Sequence, residues 1–195
     1  MTPLPPPEER PLRAVGGRRI HPRIPTTPSI ISTLRELAKE SSALVALFDA
    51  GAIAGERHLL SAWAHLGRAR SRGESRLRDR GAEFALYVAG DDQLPRALAK
   101  VGVSDSTEAF VLVAERPLDP ASLLARFELT GDPSAYPRPV DESVLERLGI
   151  EKAERQAVPA TGWEGLVLER VALLDLSAPA AHAPPAKPYS LSGNR

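Results

Sequence analysis

Three amphipathic helices are predicted in succession between residues 50 and 102, and the rest of the chain must pack against them. The first shows the i, i+3, i+4, i+7 spacing of one buried helical face. The apolar residues of that face are Leu59, Ala62, Trp63 and Leu66. Gly90 and Gly102 follow the second and third helices and are typical helix ends. The pattern therefore predicts a helical layer with one side buried.

Two short apolar runs, at residues 42–49 and 109–114, predict strands on either side of this helical block. Both show little polar alternation, which is typical of strands covered on both faces, although a helix is an alternative for the first. A capping pattern at Thr161 predicts a closing helix. The order of elements predicts a single α/β (α+β) domain with a small mixed or antiparallel sheet packed against several helices.

Proline content divides the chain into a domain and two tails. Residues 1–25 are rich in proline and lack apolar periodicity, so we expect a mobile arm there, with residues 18–24 as an option for a short edge strand. Residues 26–176 are expected to form the domain. Residues 177–195 are dominated by Ala, Pro and Ser and are expected to form a disordered tail.

Charge balance and the lack of cysteine limit the kinds of site that the chain can carry. Basic and acidic residues number 25 each, so affinity for a polyanion must come from local clustering. Without cysteine, a disulfide framework, a thiolate metal site and a thiol nucleophile are excluded. No apolar run is long enough to cross a membrane and no leader pattern opens the sequence, so we expect a cytoplasmic protein without a membrane partner.

The sequence contains no pattern typical of an active site. It has no phosphate-binding loop, dinucleotide-binding glycine pattern, nucleophile elbow or kinase catalytic loop. His58 and His65 lack the four-residue spacing of a metal site on a helix, so each is interpreted as structural or RNA-contacting. Asp91 and Asp92 precede a helix and are interpreted as caps. We therefore expect no catalytic residue, no metal and no cofactor.

A cationic surface is predicted on the first helix of the block and just after it. Several basic residues share the helical face opposite the apolar stripe, and six arginines fall between residues 68 and 80. Single-stranded RNA is bound by cationic side chains and by planar groups on which bases stack. The predicted RNA-binding residues are Arg57, His65, Arg68, Arg70, Arg72, Arg76 and Arg80. A solvated helical face is the alternative.

Three segments of the chain carry a resemblance to a known family. They are LFDAGAIAGERHLLSAWAHLGRARSRGE, GAEFALYVAGDDQLPRALAKVGV and LVLERVALLDL. In this order they resemble the small kinase-binding subunit of KEOPS, the complex that makes threonylcarbamoyladenosine in transfer RNA (the PRPK-binding protein family). The chain departs from the family pattern at Ser75, Arg76 and Arg80, so the second helix is expected to be unusually polar.

The resemblance implies a non-catalytic subunit that binds and activates a small RIO-like protein kinase beside other KEOPS subunits. It also implies recruitment of transfer RNA through its single-stranded CCA end. The closing helix is apolar on more than one side, so it is either central in the domain or covered by the kinase. The predicted partner-binding residues are Arg170, Leu174 and Leu176. The alternative is a DNA-binding regulator in which residues 92–102 form part of a helix-turn-helix.

Overall fold

The computed structural model describes residues 11–21 and 24–176, which contain one antiparallel sheet of four strands. The strands are β1 Leu12–Arg19, β2 Val45–Asp49, β3 Ala109–Glu115 and β4 Leu129–Gly131. Both β2 and β1 pair with β3, and β4 pairs with β1, so the spatial order is β2-β3-β1-β4. The prediction of a small sheet packed against several helices in an α+β domain is confirmed.

Eight α-helices lie in the described part of the chain. They are α1 Thr27–Glu40, α2 Glu56–Ser71, α3 Arg80–Ala89, α4 Leu94–Val101, α5 Pro120–Leu123, α6 Glu142–Arg147, α7 Lys152–Gln156 and α8 Trp163–Leu176. The backbone of Gly90 is left-handed (φ 58°) and ends α3, as predicted. None of the helices within residues 11–21 and 24–176 combines the length and the apolar character that crossing a membrane requires.

The sheet is covered on both faces because side chains alternate along each strand. One face meets a core formed largely by α2, α3 and α8, and the sheet contributes Ala46, Phe48, Val111 and Val113 to it. The other face meets α1 and the segment around α5, and the sheet contributes Leu47, Phe110, Leu112 and Ala114 to it. The prediction that residues 42–49 and 109–114 hold doubly covered strands is confirmed, and the helix alternative for the first is wrong.

Strand β1 corrects the predicted domain organisation. The sequence predicts a mobile arm up to residue 25, with at most an edge strand at residues 18–24, but residues 12–19 form an inner strand between β3 and β4. No proline lies between Pro11 and Pro22, so every residue of β1 can donate to a ladder. Residues 1–10 of the predicted arm and the predicted tail at 177–195 lie outside the described residues.

Helix α3 corrects the expectation of an unusually polar second helix. It begins at Arg80, so Ser75 and Arg76 belong to the loop before it. From Glu83 to Ala89 every residue of α3 is buried. The helix therefore lies in the middle of the helical layer. Of the three polar residues, Ser75 and Arg76 belong to the loop, and Arg80 is the first residue of α3.

Candidate RNA-binding site around Asp175

The predicted RNA-binding residues lie in four separate places. Arg57 is at the start of α2, 4.0 Å from Glu164. Arg70 pairs with Glu83 of α3 at 2.5 Å, and Arg80 pairs with Glu115 of β3 at 3.0 Å. The remaining residues come together near the end of α8 and, with Asp175, form what we call the Asp175 cluster: His65, Arg68, Arg72 and Arg76. The structure thus brings together four of the seven predicted residues.

Helices α2 and α8 lie side by side and run in the same direction. Arg57 is 4.0 Å from Glu164 near the start of both helices. Arg68 is 4.0 Å from Asp175 near the end of both helices. Arg68 follows Arg57 by eleven residues, and Asp175 follows Glu164 by the same number. The C-terminal ends of two helices therefore meet at the Asp175 cluster, where cations also stabilise the helix dipoles.

Asp175 lies at the base of the cluster and the arginines lie outside it. The Nδ1 atom of His65 is 2.5 Å from Asp175 Oδ2, and a nitrogen of Arg68 and one of Arg72 are each 4.0 Å from the same oxygen. The carboxylate is 15% exposed, whereas the side chains of Arg68 and Arg72 are 49% and 45% exposed. Both guanidinium groups are therefore accessible to an anion from solvent.

Arg76 reaches the cluster from the loop between α2 and α3. Its Nη2 donates to the carbonyl oxygen of Leu174 at 2.7 Å. Its Nε and the Oδ1 atom of Asp175 are buried without a hydrogen-bond partner among the described residues. A buried polar atom without a partner costs about 1–3 kcal/mol.

Tyr87 forms the inner wall of the cluster. Its ring stacks on His65 with the centroids 6.2 Å apart. Burial, followed by the neighbouring Asp175 carboxylate, raises the pKa of the Tyr87 hydroxyl. The hydroxyl is therefore neutral at physiological pH and adds no negative charge to the site.

A buried carboxylate holds the loop that carries Arg76. Glu83 accepts hydrogen bonds from the Ser75 hydroxyl at 2.8 Å and from the backbone N–H of Arg76 at 2.6 Å. Its remaining contact is Arg70, at 2.5 Å, and the Glu83 side chain is fully buried. Arg70 therefore compensates an internal charge and lies outside the Asp175 cluster, and its role in RNA binding stays a prediction.

Arg57 and Arg80 also fall outside the cluster. Arg80 is 3.0 Å from Glu115 and donates to the carbonyl oxygen of Ser42 at 3.1 Å. Its guanidinium lies over the ring of Trp63, 5.3 Å from the centroid. Helical spacing alone predicted one ridge, whereas the acidic partners of these arginines come from distant parts of the chain.

The predicted partner-binding residues differ in exposure. Leu174 is only 4% exposed and belongs to the core, so the prediction that it contacts a partner is wrong. Arg170 pairs with Glu154 at 2.7 Å, and Leu176 is 81% exposed. Leu173 lies three residues before Leu176, on the same side of the closing helix, and is 44% exposed.

His58 is a structural histidine in the core. Its Nδ1 accepts from the Ala54 N–H at 3.2 Å, and its Nε2 donates to the Val88 carbonyl oxygen at 2.8 Å. Burial lowers the pKa of the imidazole to about 4. Within the described residues, no three histidine or acidic side chains come together as a metal site would require.

We expect His58 to make the protein sensitive to acid. Between pH 6.5 and about 4 the unfolded chain protonates this imidazole and the native protein does not. Stability therefore falls as pH decreases through this window, by up to about 3 kcal/mol. Urea unfolding across this range should show that the stability difference between the native protein and His58→Gln narrows as pH falls. An NMR titration midpoint of His58 near 6.5 would contradict the expectation.

Comparison of the chain with known proteins gives no family assignment: no family model matches it, and no curated protein matches it significantly.

Proposed function

We propose that this chain is a non-catalytic subunit of a KEOPS-like complex, which binds and activates a small RIO-like kinase and recruits transfer RNA through its CCA end. The observation that carries the proposal is the Asp175 cluster, where accessible arginines surround one carboxylate. The KEOPS resemblance supplies the identity of the RNA and of the kinase. A cytoplasmic location and the lack of a cofactor belong to the same proposal.

The charges of the cluster favour a phosphate ligand. Arg68, Arg72 and Arg76 face two carboxylates, Asp175 and Glu74, and the second of these is 2.7 Å from Arg72. This leaves an excess of one positive charge before any contribution from His65. The guanidinium group is the side chain best suited to bind phosphate with two parallel hydrogen bonds. An RNA backbone that passes over the end of α2 would meet both accessible guanidinium groups.

The kinase contact is assigned to the exposed side of α8. Leu173 and Leu176 are the exposed leucines there, and exposed apolar side chains close together are typical of an interface. Asp175 lies between them in the sequence. The RNA-binding and kinase-binding surfaces would therefore share the last turn of one helix, which places RNA next to the kinase.

We expect the double variant Arg68→Glu with Arg72→Glu to bind transfer RNA about 30-fold more weakly at moderate salt, because two phosphate contacts become repulsive. Loss of two contacts to a single strand should also reduce the slope of log K against log salt by about 1.4. Fluorescence anisotropy with labelled transfer RNA measures both quantities. Arg76 is left intact because its buried atoms contribute to packing.

The matched control is Arg35→Glu with Lys39→Glu, which changes the net charge equally on α1, across the sheet from the Asp175 cluster. Equal losses in both variants would mean that only net charge matters and would remove the site. Equal binding of transfer RNA with and without its CCA end would refute recruitment through that end. Failure of the cognate RIO-like kinase to co-purify would refute the kinase part of the proposal.

A preference for duplex DNA over transfer RNA would instead support the helix-turn-helix alternative. Helix α4 has few side-chain donors free to contact the bases of DNA. Arg96 and Lys100, the basic residues of α4, lie 2.9 and 3.1 Å from Asp91. Asp91 also accepts a hydrogen bond from the backbone N–H of Gln93, the residue before α4, so the same carboxylate helps to fix the start of the helix.

A further inference from the structure

Strand β2 presents an open edge of the sheet. It pairs with β3 on one side, and within the described residues no strand pairs with its other side. The backbone N–H of Glu115 donates to the carbonyl oxygen of Leu44. This bond determines which residues of β2 direct their backbone groups toward β3 and which direct them away from it. In antiparallel pairing, the next residue and every second one after it turn their backbone groups away from the partner strand. The N–H and C=O groups of Val45 and Leu47 therefore point outward.

Proline, lysine and a bulge, three of the features by which proteins protect an open strand, are absent from this edge. Natural edge strands carry proline, lysine, a bulge or a covering segment. The sequence of β2, VALFD, has no proline and no lysine, and its register with β3 is continuous over all five residues. A continuous edge without proline or lysine is suited to pairing with another extended segment.

The open edge runs along a groove of about 450 Å³. Ile31 and Leu34 of α1 line one side, and Ala85 and Leu98 of α3 and α4 line the other. Ile31 and Leu98 are large apolar residues that are 42% and 49% exposed. Because side chains of a strand alternate between two faces, an added strand would place apolar groups against both walls.

The border of the groove is cationic. Arg35, Arg78 and Arg80 line it, and the acidic residue among its lining is Asp79. Arg80 is paired with Glu115, and Asp79 caps α3 by accepting from the N–H of Ala82. Arg35 and Arg78 are exposed and form no ion pair with any residue that the structure describes. The border therefore has positive charge available for an acidic ligand.

We propose that this groove binds an extended, acidic segment of a partner protein, which adds to β2 as a fifth strand. The segment would have a short β-branched apolar core flanked by aspartate or glutamate. Backbone hydrogen bonds to Val45 and Leu47 supply the affinity, and Arg35 and Arg78 select the acidic flanks. The groove is separate from the Asp175 cluster, so this inference does not depend on RNA binding.

Two other occupants are less well suited to the groove. Pairing of β2 with β2 of a second copy would bring two sets of groove arginines together, and like charges that meet at an interface oppose it. Residues 1–10 of the chain include prolines at positions 3, 5, 6 and 7, which lack the N–H that a ladder needs. A heterologous acidic segment has neither disadvantage.

The test uses a fluorescent peptide with a run of valines flanked at both ends by glutamates, titrated into the full chain. We expect it to bind at least tenfold more tightly than the same peptide with lysines in place of the glutamates. Methylation of every valine nitrogen should abolish binding, because charge is unchanged but the ladder donors are lost. Hydrogen exchange at the Val45 and Leu47 amides should slow when the peptide binds.

Arg35→Glu with Arg78→Glu should weaken binding of this peptide at least tenfold. Lys39→Glu with Lys152→Glu makes the same change in net charge at exposed lysines outside the groove and should leave binding unchanged. Arg68→Glu with Arg72→Glu should also leave it unchanged, which separates this result from the RNA proposal. Equal binding of the two peptides, unaltered exchange at Val45 and Leu47, or a dimer formed through β2 would overturn the inference.

Discussion

Replacement of Glu83 by alanine should lower the free energy of unfolding by about 3 kcal/mol or more, because removal of one partner from a buried ion pair leaves the other uncompensated. Glu83 is fully buried and its partner Arg70 is 32% exposed. The substitution also leaves the Ser75 hydroxyl and the Arg76 N–H without their acceptor. Since these groups position the loop next to the Asp175 cluster, the RNA affinity that we propose should fall as well.

Urea unfolding of Glu83→Ala beside Glu74→Ala provides a matched comparison. Glu74 also pairs with an arginine of the same segment, at 2.7 Å, but both side chains reach solvent, at 45% and 28% exposure, and the pair should contribute at most about 1 kcal/mol. In a double-mutant cycle, Arg70→Ala should cost less in the Glu83→Ala background than alone. Similar losses for the two glutamates would show that burial of Glu83 does not control the stability of this loop.

Gly16→Ala should be at least as destabilising, by about 3 kcal/mol or more, because the added methyl group meets backbone atoms. A Cβ at this position would lie 2.2 Å from the carbonyl oxygen of Asp132 and 2.8 Å from the backbone nitrogen of Tyr136. Overpacking in a core commonly costs about 1–3 kcal/mol, and here the obstacle is backbone, which cannot rotate away. The segment after β4 would have to move off the middle of the sheet.

The control is Gly67→Ala in α2, where a Cβ would have no atom within 4 Å. Alanine favours a helix over glycine by up to about 1 kcal/mol, so this variant should be slightly more stable than the native protein. Thermal and urea unfolding of the two variants give the comparison directly. Native stability in Gly16→Ala would mean that the segment at 132–136 does not pack over β1 as the structure has it.

Much of the fold could be predicted from local patterns. The apolar stripe of α8 predicted its buried residues Val167 and Val171, and the apolar runs predicted β2 and β3. Strand β1 was missed because Gly16 and Gly17 are typical chain breakers and prolines surround the segment. Gly16 is required by the close approach of another backbone, and a Cβ at Gly17 would lie 2.9 Å from the side chain of Leu124. Both are tertiary contacts that no local pattern reveals.

The site was predictable only in part, for a similar reason. Helical spacing placed His65, Arg68 and Arg72 on one face, and the structure confirms that they share Asp175. Spacing along the sequence could not show that Glu83 and Glu115 would bind Arg70 and Arg80. Whether an arginine is available to a ligand is decided by acidic residues elsewhere in the chain, so a cluster of arginines in sequence overestimates the cationic surface.

The strand order also dictates when the sheet can form as the chain is synthesised. Each of its three ladders includes either β3 or β4, so no strand pair exists before residue 109 has been made. Until then β1 and β2 have no partner strand. Helices α2 and α3 both precede β3 in the sequence, so they can already pack against each other. We infer that the nascent chain assembles its helical hairpin first and that arrival of β3 brings the two earlier strands together in one step.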